Sequence, residues 1–171
     1  MSEHQEKVGF LWDVHRYTNE YIRFADTKAA FIAGVDAALI GTAISSSLFD
    51  SCLHRPPCHW SVALWLGIGG IIPLSISIAF CVLTIIPRLW HNATHGFIYW
   101  DSVIAHGSPK KFGDAFTALS SDGMTSELTN HIYVLGTIAK KKYGFVRKAI
   151  WSSVVGCVLT GMAVWLQHAL K

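Results

Sequence analysis

The chain has 171 residues, enough for one domain, with 51% apolar and only 15% charged side chains, a mean hydropathy of +0.37 and a net charge of +3. That composition fits a membrane protein and excludes an acidic or strongly basic soluble module. The positive charges are spread along one side of a membrane topology, so the sequence gives no reason to expect a nucleic-acid partner.

The first predicted element spans residues 2 to 28, an amphipathic helix in which Phe10, Val14, Tyr17, Tyr21, Phe24 and Phe31 follow four-three spacing on one face. Arg16, Asn19, Arg23 and Asp26 line a second, polar face. Neither Gly nor Pro interrupts the helix after Gly9, so it is expected to run directly into the first of three membrane spans. A cleaved signal peptide is not expected, because the first apolar run begins behind a charged and aromatic segment and exceeds a signal core in length.

The three spans cover residues 29–49, 61–86 and 149–168. Each approaches the ~20 apolar residues a helix needs to cross the hydrocarbon. Backbone polar groups in lipid must be satisfied within the segment, so all three are expected to be helical. The fold class is therefore all-α: an integral membrane protein with three transmembrane helices and helical extensions. Lys7, Arg16, Arg23, Lys28, Arg88, Lys110, Lys111, Lys140, Lys141, Lys142, Arg147 and Lys148 fall on one side, against Arg55 and Lys171 on the other. Positive loops are retained inside, so the N-terminus and residues 87–148 are expected to be cytoplasmic and the short loop 50–60 periplasmic. Cys52 and Cys58 share that outer loop, where an oxidising compartment favours a disulfide. A zinc site using both cysteines with His54 and His59 is the alternative, though the spacing fits no standard finger.

Small residues let helices approach in lipid, and the first span supplies Ala30, Gly34, Ala38, Gly41 and Ser45, the third Ser152, Gly156 and Thr160. These faces pack either within one copy or between copies. Asp36 is an acid inside a span, which makes it a functional candidate lining a pore, against the alternative of a shallow, hydrogen-bonded carboxyl. Pro73 is either a hinge or a static kink.

Beyond the second span, the aromatic stretch around GFIYWDSVIA suits the membrane surface. Gly107, Ser108 and Pro109 break the chain; a short helix near Phe112–Leu119 follows, then a turn at SSDGMT. A long helix from about Ser126 carries Leu128, Ile132, Leu135, Ala139 and Val146 at helical spacing and continues into the third span. Its basic cluster, Lys140 to Lys148, reads as a lipid-facing anchor for Lys140 and Lys141; anion binding is the sharper alternative. His91 and His95 share a helix spacing but lack the rest of a zinc-protease signature. No nucleophile motif, phosphate loop or carboxylate pair appears, so neither an enzyme nor a cofactor is indicated. The small cytoplasmic part suggests completion by further copies, hence a homo-oligomer.

The segments NEYIRFADTKAAFIAGVDAAL at 19–39, PRLW at 87–90, GFIYWDSVIA at 96–105 and HIYVLGTIAKKKYGFVRKAIW at 131–151 together resemble Pycsar-type transmembrane effectors. The most specific element is Asn19, Arg23, Asp26, Lys28 and Ala29 entering a membrane helix. The resemblance covers most of the chain. It implies an antiphage effector that responds to cyclic UMP or cyclic CMP from a cognate cyclase by impairing the bacterial inner membrane, so that the infected cell dies or stops growing. A constitutive scaffold or transporter-associated subunit without ligand gating is the alternative. The chain has no room for a β-rich cyclic-nucleotide domain, so recognition would fall to helices. Arg23 and Arg88 are then expected to meet the phosphate, Asn19 or Asp26 the pyrimidine or ribose, and Tyr99, Trp100, Tyr133 or Tyr143 the base face. Against this, Arg23 and Asp26 have the i, i+3 spacing of a simple helix pair.

Overall fold

The computed structural model describes residues 3–46, 61–86 and 96–169, which contain five helices and no strand. In chain order these are α1 (Glu3–Ile44), α2 (Val62–Ile85), α3 (Trp100–Ala105), α4 (Pro109–Thr117) and α5 (Ser121–Ala169). As expected, α1 is one uninterrupted helix of 42 residues. α2 has 24 residues, about 36 Å at 1.5 Å per residue. Its start is fixed by Ser61, whose Oγ accepts the Leu64 N–H at 3.2 Å. α1, α2 and α5 are each long and apolar enough to cross a membrane. The expected outer loop, with Cys52 and Cys58, lies outside the described residues, as do Arg88, His91 and His95.

Two segments depart from the sequence expectation. α5 begins at Ser121, not near Ser126, because Ser120 caps it: its Oγ accepts the Gly123 N–H at 3.1 Å and its carbonyl accepts the Met124 N–H at 2.9 Å. The expected SSDGMT turn is therefore the first turn of a helix. α4 also starts early, where Ser108 Oγ accepts the Lys111 N–H at 3.2 Å and Pro109 occupies the first turn, where no N–H is needed. Gly107 reaches it through a left-handed conformation (φ 75°), which a side chain would strain.

The chain divides into two compact units: residues 1–23 with 87–141, and residues 24–86 with 142–171. In the first unit, Leu128 and Ser102 are buried, and Phe97 gathers His106, Phe112 and Phe116 around it, with ring centroids 5.4, 5.7 and 6.0 Å away. Offset aromatic contacts of this kind add packing energy beyond area burial. His106 Nε2 donates to the Gly96 carbonyl at 3.3 Å, tying the segment before α3 to its end.

The second unit packs the later part of α1 against α2 and the later part of α5. On α2 the buried positions are Ala63 and, in a three-four stripe, Leu64, Gly67, Gly70, Leu74, Ser77, Cys81 and Thr84. One cluster joins Ala25, Ala29, Cys81, Val146 and Ala149; another joins Ala63, Leu64 and Ala163. α2 and α5 approach closely at Gly70 and Gly156: a Cβ on Gly156 would lie 2.6 Å from Leu74 Cγ and 2.9 Å from the Gly70 carbonyl oxygen. Lipid provides no hydrophobic drive between helices, so this backbone proximity supplies the packing. The small-residue face expected on the third span is thus used at Gly156 and Thr160. Its counterpart on the first span, Ala30, Gly34, Ala38, Gly41 and Ser45, is exposed.

The aromatic face expected on α1 is not its packed face. Phe10, Tyr17, Tyr21, Phe24 and Phe31 are all exposed, Phe31 at 74%. The inward positions are Leu11, His15, Thr18, Ile22, Ala25, Ala29, Asp36 and Ala43, which are buried or half-buried. In the second unit the buried apolar ones are Ala25, Ala29 and Ala43, small enough to allow a close helix approach that rings would prevent.

Candidate functional site

The proposed ligand residues fall into different units. Asn19, Arg23, Tyr99 and Tyr133 belong to the first, Asp26 and Tyr143 to the second. Asn19 sits half-buried on α1, its amide 3.2 Å from His15 Nε2. Arg23 is exposed and engaged in an interaction of its own. Tyr133 projects outward, 75% exposed, whereas Tyr99 is half-buried with its ring 5.8 Å from Trp100.

The two residues of the second unit are tied into its packing. Asp26 Oδ1 accepts from Lys142 Nζ at 2.5 Å, in an ion pair whose side chains are 35% and 9% exposed. The bond is charge-assisted, and the burial of Lys142 makes the carboxylate its obligatory partner. Lys142 therefore differs from the exposed Lys140 and Lys141, although all three stand in one basic run. Tyr143 packs against the Ala25–Ala29–Val146 cluster, with Lys28 Nζ 5.9 Å from its ring and 4.3 Å from that of Phe24. Lys148 lies 5.7 Å from the rings of both Phe80 and Phe145. Lysine stems thus cover aromatic surface on this unit, a cation–π arrangement.

Asp36 is fully buried, and its Oδ1 accepts from Ser153 Oγ at 2.6 Å while Oδ2 has no partner. Ser77, also fully buried, donates to the Ala149 carbonyl at 2.9 Å, bonding α2 to α5. The acid is therefore an interior residue of the second unit, at the level where all three helices meet.

The first unit holds a feature that periodicity did not reveal: a cavity of about 510 Å³ lined by His4, Gln5, Trp12, Phe97, Glu127 and Leu128 among others. Its size and its mostly apolar walls with a few polar groups suit a small organic ligand. Glu127 is the acidic group on the wall, and a Cβ on Gly96 would stand 3.2 Å from its Oε2. The residues that form this cavity come from separate stretches of sequence, and no local pattern marks them. Near it, the His15 and His131 rings lie 5.3 Å apart, tilted by 34°, and Trp12 meets His15 edge-on at 5.4 Å. Burial, and then the neighbouring His15, push the His131 pKa below its usual value. Among the described residues no group of three or more metal-ligating side chains converges.

A family model described as the Pycsar effector protein domain matches residues 10–167. The chain is similar to the Pycsar effector protein SaPycTM of Staphylococcus aureus, 26% identical over 145 residues that cover 84% of this chain and 86% of that protein. It is similar also to the Pycsar effector protein EcPycTM of Escherichia coli, 23% identical over 158 residues, covering 88% and 84% respectively. No solved structure matches.

Proposed function

Because the chain belongs to the Pycsar membrane-effector family of antiviral defence, we propose that it senses a cyclic pyrimidine mononucleotide, cyclic UMP or cyclic CMP, and answers by impairing the bacterial inner membrane. The observation that carries this reading is the division of labour between the units: one encloses a cavity of nucleotide size, the other presents three long apolar helices. In this reading residues 29–49, 61–86 and 149–168 cross the membrane, residues 87–148 face the cytoplasm with the N-terminus, and the loop 50–60 is periplasmic. The clustering of Lys and Arg supports that orientation.

Recognition is assigned to the first unit. Asn19, Arg23 and Tyr99, with Arg88 and the exposed Tyr133, are the proposed ligand contacts; the aromatic-walled cavity, which none of the described ones lines, is a separate candidate seat for the base. Asp26 and Tyr143 hold the second unit together instead. The exposed aromatic face of α1 at Phe10 and Tyr17 supports the proposal that copies associate, since monomers seldom leave contiguous apolar patches uncovered.

The test is permeability of proteoliposomes carrying the full chain as cyclic UMP, cyclic CMP, cyclic AMP and cyclic GMP are added in turn. A rise confined to the pyrimidine nucleotides is expected, and silence with all four overturns the reading. Arg23→Ala is expected to abolish that rise while leaving insertion intact. A variant responding like the parent removes Arg23 from the ligand set.

A further inference from the structure

The second unit has its polar groups inside and its large apolar groups outside. Asp36, Ser77 and Thr84 are fully buried and Thr160 nearly so, while Phe31, Trp151 and Trp165 are exposed. Ranged along α5, the interior polar levels run from Lys142, paired with Asp26, through Ser153, bonded to Asp36, to Thr160. Eighteen residues of helix cover about 27 Å. About 17 Å of that, from residue 149 to Thr160, lies within the third span.

Two atoms on this line have no partner: Asp36 Oδ2 and Thr160 Oγ1, both buried. An unpaired carboxyl oxygen in an apolar medium is costly, which makes such a residue in a membrane span a candidate for serving ions or protons. The oxygens at this site, those of the Asp36 carboxyl and Ser153 Oγ, are of the hard kind that suits a small cation. Between the Asp36–Ser153 level and Thr160 stands Leu74, fully buried and seated on Gly156, where it leaves no room even for a methyl group. An apolar constriction of this type blocks ions by excluding water.

We propose that the interior of the second unit is a closed path for small monovalent cations, shut by Leu74, in which Asp36 sets the preference for cations over anions. It rests on the reading that the chain permeabilises the membrane, not on which nucleotide is sensed. Opening separates Leu74 from Gly156 and admits water. Asp36 then contributes a fixed negative charge beside the ions, as acidic rings do in cation channels.

The experiment uses the full chain in vesicles of phosphatidylethanolamine and phosphatidylglycerol, with potassium and chloride fluxes recorded separately. Leu74→Ser is expected to leak potassium with no nucleotide present, and Leu74→Asn, a second polar replacement, to do the same. Adding Asp36→Asn, which keeps an acceptor for Ser153, is expected to lower the potassium-to-chloride permeability ratio about tenfold. Asp36→Glu in that background is expected to preserve the ratio. Vesicles that stay tight with both Leu74 variants overturn the proposal, as does a leak with no cation preference or one that Asp36→Asn leaves unchanged. If both Leu74 variants pass potassium selectively while the parent ignores cyclic UMP and cyclic CMP, the path stands and nucleotide sensing falls.

Discussion

The two units solve the burial problem in opposite ways. The first buries Leu128 and groups aromatic rings about Phe97, as a water-exposed fold does. The second buries Asp36, Ser77, Thr84 and Thr160 with glycines and alanines, and turns Trp65, Trp151 and Trp165 outward. Water drives apolar surface inward, but lipid is indifferent to it, so helices in lipid are held by close backbone contact and by polar groups that have nowhere else to go. The difference shows that α1 and α5, which each contribute to both units, are read under two sets of rules along one helix. A single periodicity analysis over the whole of α1 therefore selects the wrong face.

The sharpest way to break this contrast is at the Asp26–Lys142 pair. Removing Asp26 strands an ammonium whose side chain is only 9% exposed, whereas removing Lys142 leaves a carboxylate that is 35% exposed. Asp26→Ala is expected to destabilise the second unit by about 3 kcal/mol, the cost of an uncompensated buried charge. Lys142→Ala should cost clearly less. Equilibrium unfolding in mixed micelles measures both, and equal losses would show that the two charges are equally sheltered.

A smaller effect comes from the glycines. Gly70→Ala puts a methyl group 2.8 Å from the Thr160 backbone nitrogen and 3.1 Å from the Gly156 carbonyl oxygen, backbone atoms that cannot step aside. Overpacking of this kind costs about 1–3 kcal/mol. Gly34 on α1 and Gly161 on α5 have open space around the same position, so alanine there is expected to be neutral or to gain up to about 1 kcal/mol of helix propensity. The same micelle unfolding ranks the three variants. If Gly34→Ala destabilises as much as Gly70→Ala, the exposed small-residue stripe of α1 packs against another copy.

The helices were legible because their signals are local: long uncharged runs and the absence of breakers in α1. What escaped depended on which way a helix is turned. Lys140, Lys141 and Lys142 are chemically identical in sequence, yet a step of about 100° per residue carries only the last into the interior. Asp36 was legible as an acid in a span, but its partner Ser153 stands 117 positions away, and nothing in a run of Ser, Val and Ala marks it. Ser120 escaped for a different reason, since SSDGMT is as good a helix start as a turn until the Ser120 hydroxyl is seen on the Gly123 N–H. The cavity was beyond the reach of any pattern, because its walls meet only once α1, α4 and α5 are folded.

The smallest expected effect lies in the first unit and is tuned by pH. His131 packs on His15, with Trp12 and Asn19 completing the surroundings of that pair, and its folded pKa lies below the ordinary value of about 6.5 because burial, and then His15, disfavour the charged ring. Above pH 6.5 both folded and unfolded chains carry it neutral and nothing changes. As the pH falls below 6.5, the unfolded chain takes up the proton first, so stability declines progressively until the folded pKa is reached. Corrected hydrogen-exchange protection of the α1 amides before Arg23 is therefore expected to be lower at pH 5.5 than at pH 7.5. His131→Gln should flatten the dependence, because the group that binds the extra proton in the unfolded chain is gone. Equal protection at the two pH values in the parent would mean that the two rings accept a shared charge without moving apart, and the first unit would then be as indifferent to pH as its uncharged aromatic cluster.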